Sequence, residues 1–139
     1  DGPTYCNDAC VGTSALDIAG DAASGIVAII PPFIQDTNTK GQDFLTDFRE
    51  RYGYTTLEYY MAAAYDATYL LSGCMSEIGS DSDADGLKAC LHGVSDYVGA
   101  IGGPYSLGAD GDVVGVTMDT VVVLPLAERT EGNFGYRSR

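Results

Sequence analysis

The spacing of apolar and polar positions divides the chain into short strands and longer helices. Residues 25–30 are continuously apolar and mostly β-branched, the pattern of a buried strand, and Pro31-Pro32 stops it. Over residues 39–52, Phe44, Phe48 and Tyr52 recur every fourth position, which predicts a helix, with Gly53 as its C-terminal stop. Residues 56–78 predict one long helix, with Ala62, Ala63, Ala64 and Ala67 allowing close approach by a neighbour and tyrosines on another side, ended by Gly79. A shorter helix follows over 84–92, with Asp81, Ser82 or Asp83 as its N-cap. Residues 14–19 predict a short helix and 113–124 an extended β-branched segment after the Ala109-Asp110-Gly111-Asp112 turn. Residues 1–13 and the glycine-rich 97–107 read as turns and loops, and the polar tail 129–139 as frayed.

The chain has 139 residues, enough for one domain and too few for two full ones. Seven Lys and Arg against 20 Asp and Glu give a net charge of −13. That charge repels phosphate backbones and anionic lipid, so nucleic acid is excluded as a partner. No apolar run approaches the roughly 18–20 residues that cross a bilayer. The opening Asp1-Gly2-Pro3 has no basic region ahead of an apolar one, so the start is expected to be a processed or cut end.

Four cysteines suit an oxidising compartment. Cys74 and Cys90 lie equally far from residue 82, so two antiparallel helices joined there bring them face to face. A bond there closes a loop of roughly 15 residues, about 3 kcal/mol in the chain-entropy picture. Cys6 and Cys10 are near enough in sequence to pair within one turn. Two disulfides are therefore expected, and four reduced thiols are the alternative.

Candidate chemistry is sparse. Asp81, Asp83, Asp85 and Gly86 open like a calcium loop, but the twelfth position is His92, which cannot supply a bidentate carboxylate. An N-cap explains the same residues. The Cys and His spacings fit no zinc motif, and neither a nucleophile elbow nor a phosphate loop occurs. No metal or cofactor is expected, and the reading is not an enzyme, with a small α/β enzyme centred on His92 kept as the remote rival.

The run YMAAAYDATYLL, followed by GSDSDADGLKACL and GGPYSLGADGDVVG, resembles the C-terminal portion of type I periplasmic solute-binding proteins, the family serving branched-chain amino acid and amide ABC importers. IAGDAASGIVAIIPP and GQDFLTDFRERYGY are similar to preceding family segments. Leu107 and Gly108 depart from the family's aromatic and acid. The resemblance implies an α/β fold, part of a two-lobed clamp with helices on a mostly parallel sheet. It implies residues 1–30 at the end of the second lobe, 31–116 in the first lobe with a helical hairpin, and 117–139 returning to the second lobe. It also implies a periplasmic or otherwise extracytoplasmic location, a small amino acid-like ligand and a membrane permease partner. In the family an acid in an Asp/Glu-Gly element holds the ligand ammonium, which Asp1-Gly2 matches. An aromatic before the YDA tyrosine lines the pocket, which Tyr60 matches, with Tyr59 beside it. A ligand-sensing receptor domain of the same fold is the alternative use. Neither lobe is expected to be complete, so a missing N-terminal portion or a homo-oligomer is expected to finish the fold.

Overall fold

A computed structural model describes residues 2–31, 38–53, 59–129 and 135–138. In chain order the elements are β1 (Tyr5–Asn7), α1 (Thr13–Ala19), β2 (Val27–Ile30), α2 (Thr39–Tyr52), α3 (Tyr59–Ile78), α4 (Ala84–His92), β3 (Tyr97–Gly99), β4 (Gly102–Leu107), β5 (Val113–Val114), β6 (Asp119–Val123) and β7 (Tyr136–Ser138), with single 3₁₀ turns at Asp8–Val11, Gly20–Ala23 and Leu126–Glu128. They form two compact units: residues 1–32 with 117–139, and residues 33–116.

The first unit is a sheet of order β1-β2-β6-β7. β1 lies parallel to β2, with Cys6 opposite Ala28, as the helical crossover through α1 requires. The other pairs are antiparallel: Ala28 faces Val121 and Val123 faces Tyr136. The expected mostly parallel sheet is thus a mixed one among the described residues. Alternation puts Ala28, Ile30, Val121 and Val123 on one buried face. The opposite face leaves Tyr5 65% and Ile29 52% exposed. Side chains from the crossover and from the chain leaving β6 tie the two together. Arg129 donates from Nε to the Leu124 carbonyl (2.9 Å) and from Nη1 to the Leu16 carbonyl (3.2 Å). Asp21 accepts from the Leu126 amide at 3.0 Å. That amide, helped by the Ser24 hydroxyl, holds the Asp21 carboxyl below its ordinary range.

Three sequence expectations change here. β1 falls in the stretch read as turns, and β7 in the tail read as frayed. Both are three-residue strands, too short to show an alternating pattern of their own, and each is defined by its pairing with a neighbouring strand, β2 or β6. Cys6 and Cys10 carry free thiols instead of the expected bond. Cys6 sits on β1 and Cys10 in the 3₁₀ turn after it, and the two meet through a hydrogen bond. Burial first, then that contact, pushes the Cys6 thiol up to about 12.

The second unit packs α2 and α3 against a three-stranded antiparallel sheet, β3-β4-β5, with Phe44, Ala62, Ala100, Ile101 and Tyr105 at its centre. The aromatic spacing on α2 continues onto α3: Phe44 stacks at 4.7 Å from Tyr65 and 5.5 Å from Phe48. Gly53 ends α2 at φ 69°, a left-handed conformation that suits glycine, and its amide bonds the Arg49 carbonyl. Asp83 caps α4 by accepting from the Gly86 amide at 3.0 Å, so the SDSDADG run is a helix start. α3 and α4 are joined by the Cys74–Cys90 disulfide, with Cα atoms 5.7 Å apart.

That bond closes a loop of sequence separation 16. Reduction, or Cys74→Ser with Cys90→Ser, is expected to lower stability by about 3 kcal/mol. Urea unfolding with and without reductant measures this, and superimposable curves would contradict it.

Candidate ligand site and the carboxylate that orders it

Asp66 occupies the middle of α3 and is the only buried charged residue among those described, 2% exposed. Its carboxylate accepts from the Ala100 amide at 2.6 Å, from the Ile101 amide at 3.0 Å and from the Tyr105 hydroxyl at 3.4 Å. The two successive amides belong to the bend between β3 and β4. Two amide donors and a hydroxyl offset the cost of burying the charge. Gly99 makes this approach possible. A Cβ there would collide with the Asp66 carboxylate.

The same bend is held from a second side. Asn38, just ahead of α2, donates to the carbonyls of Gly99 (3.1 Å) and Ala100 (3.0 Å). Lys40 on α2 donates to the Val98 carbonyl at 2.7 Å, and its ammonium lies 5.2 Å from the Tyr97 ring centre. Residues 97–107, expected as loops, are therefore a β-hairpin whose backbone groups are satisfied by side chains more than thirty positions away. The Tyr105 phenol is pushed well above its usual range, by burial first and then by the Asp66 charge, and so remains a hydrogen-bond donor.

Asp1 lies outside the described residues, and Gly2 is exposed in the first unit. Tyr59 and Tyr60 open α3 in the second unit. Tyr59 packs against the core of that unit, and burial raises its phenol. Tyr60 is 60% exposed, with its ring edge-on to Tyr59 at 5.6 Å. Of the two tyrosines, Tyr60 stands exposed and Tyr59 is partly buried beneath it. Farther along, Tyr65 and Tyr69 stack at 4.7 Å, and a hydrogen bond between them raises Tyr65 to about 12. Among the described residues no three His, Cys, Asp or Glu side chains gather into a metal cluster.

Sequence reasoning quoted the YDA motif for its tyrosine and passed over its aspartate. The signal was present: an acid at the centre of a helix with one other charged residue, Glu77. Asn38 and Lys40 gave none, because a polar residue at a helix start is commonplace.

The profile of the periplasmic binding protein family matches residues 8–123. Solved structures share the fold. The leucine-binding protein LivK of Thermotoga maritima superimposes with a TM-score of 0.79 at 19% identity, covering 99% of this chain and 36% of its own. A branched-chain amino acid ABC transporter periplasmic ligand-binding protein from Burkholderia xenovorans gives 0.70 at 18%, covering 91% and 33%. An ABC transporter substrate-binding protein from Desulfitobacterium hafniense in complex with Leu gives 0.68 at 20%, covering 100% and 36%. This chain therefore spans about a third of the length of the proteins it superimposes on. No curated protein is significantly similar to it in sequence.

Asp66→Ala strands two buried amides and is expected to cost about 3 kcal/mol. Asp66→Asn keeps the shape and is expected to cost less. Thermal melts of both variants measure this, and an unchanged melt for Asp66→Ala would show that the carboxylate does not hold the hairpin.

Proposed function

Since the chain belongs to the periplasmic binding protein family, we propose that it is the C-terminal part of the extracytoplasmic solute receptor of an ABC importer, holding a small amino acid or amide in a cleft that closes by a hinge. The observation that carries this is the match of one continuous family profile over 8–123 together with superposition on a leucine-binding protein over nearly the whole chain. The relative with bound Leu points to a branched aliphatic amino acid as the first ligand to try.

In this reading residues 33–116 belong to one lobe of the receptor, and residues 1–32 with 117–139 belong to the other. The chain would then pass between lobes at 32–33 and at 116–117. The ligand requires a counter-charge for its ammonium and an apolar wall for its side chain. Asp1, with Gly2 beside it, supplies the first; the exposed ring of Tyr60, propped by Tyr59, supplies the second. The permease then recognises the closed form from outside the membrane. Binding and release change no covalent bond, so the protein acts as a receptor and not as an enzyme.

Titration calorimetry of the complete receptor with leucine tests the assignment. Asp1→Ala is expected to lose about 2 kcal/mol, roughly 30-fold in Kd. Tyr60→Ala is expected to weaken binding with little change in melting temperature, whereas Tyr59→Ala lowers the melting temperature. Unchanged affinity in Asp1→Ala would remove that residue from the site, and no leucine-like ligand binding at all would sink the reading.

A further inference from the structure

The Cys74–Cys90 bond presents two unlike sulfurs. Cys74 on α3 is buried, 4% exposed, whereas Cys90 on α4 is half-buried. Glu77 follows Cys74 by three positions and so shares its side of α3, the side turned to α4. Its Oε2 lies 3.7 Å from the Cys90 sulfur. The basic residues of α4, Lys88 and His92, each stand two positions from Cys90 and so project from the far side of that helix. The turn entering α4 adds Asp81, Asp83 and Asp85. The one sulfur that solvent can reach therefore carries a carboxylate at its side, in a chain of net charge −13.

A disulfide is opened by a thiolate, an anion that must reach one sulfur and expel the other. We propose that this bond opens at Cys90 and that Glu77 selects the thiols that open it, admitting cationic ones and holding off those with a further negative charge. The incoming thiolate bonds to the Cys90 sulfur as the Cys74–Cys90 bond breaks. The electron pair of that bond leaves with the Cys74 sulfur, which then takes a proton. A second thiolate displaces Cys90 from the mixed disulfide, leaving two protein thiols and the oxidised, dimeric reagent. Expelling Cys74 as a buried thiolate is itself unfavourable, which slows every reagent alike. The carboxylate acts differently, because its effect follows the charge that the reagent brings. The reductant that fits this site is a thiol with positive charge beside its sulfur, and a small thiol bearing carboxylates does not fit. None of this rests on the receptor reading.

The test compares two small thiols, anionic mercaptoethanesulfonate and cationic cysteamine, in a Cys6→Ser, Cys10→Ser background with Glu77 or with Glu77→Gln. Rates are referred to the thiolate concentration, and each reagent is compared with itself across the two proteins, so its own nucleophilicity cancels. At low salt Glu77→Gln is expected to speed opening by mercaptoethanesulfonate about fivefold and by cysteamine less than about twofold, with the difference closing as salt is added. Glu77→Lys is expected to widen the gain for the anionic reagent and to slow the cationic one. The first mixed disulfide, trapped in acid and located by peptide mass, is expected on Cys90. A substitution that only loosened the helix pair would speed both reagents equally, and that result would overturn the role of Glu77. A mixed disulfide found on Cys74 would overturn the site of attack.

Discussion

The carboxylate of Asp66 is the constraint on which the second unit depends. A hairpin of two short strands is marginal in water by itself. Here the bend between β3 and β4 turns its amides inward to one acid on α3, while Asn38 and Lys40 take its outward carbonyls. The apolar residues of that bend, Ala100 and Ile101, then fall into the core beside Phe44 and Ala62. Polar anchoring and hydrophobic packing thus involve the same residues: the amides that Asp66 binds belong to the residues that the core buries. Either term alone would leave the other unsatisfied, because burying Ile101 without the acid would strand its amide.

The first unit is organised by a similar device of opposite sign. Its sheet buries Ala28, Ile30, Val121 and Val123 on one face, but the path of the chain beyond β6 is set by Arg129 reaching two carbonyls and by Asp21 capturing the Leu126 amide. In both units a charged side chain binds backbone and not another charge. Such contacts fix geometry well, because a carbonyl or amide has one place to be, whereas a surface ion pair between long side chains is worth little.

The helices were legible because their signals are local. The four-residue recurrence of Phe44, Phe48 and Tyr52, the glycine at 53 and the aspartate at 83 each act within one or two turns, and α2 and α4 lie where the spacing put them. The Cys74–Cys90 bond was legible for the same reason, as symmetry about a turn. The strands were less so. β1 and β7 are three-residue strands paired with other segments, β2 and β6, and the 97–107 hairpin is held by an acid on α3. The family order of segments was readable and identified the fold. Of the proposed site, Tyr60 stands exposed and Tyr59 belongs to the packing, while the acid that matters most to the local structure was hidden inside a motif quoted for its tyrosine.

The first unit is discontinuous, and this bears on how the molecule is made. Ala28 and Val121 lie side by side in one sheet although the whole second unit is spelled between them. On the ribosome, β1 and β2 emerge before the second unit and must wait, with an apolar face uncovered, until β6 is synthesised. The second unit is spelled by one continuous segment, 33–116, and can begin to condense during that interval. The inserted unit can therefore condense before its host, and the waiting β2, Val-Ala-Ile-Ile, is the stretch that a chaperone has most reason to hold.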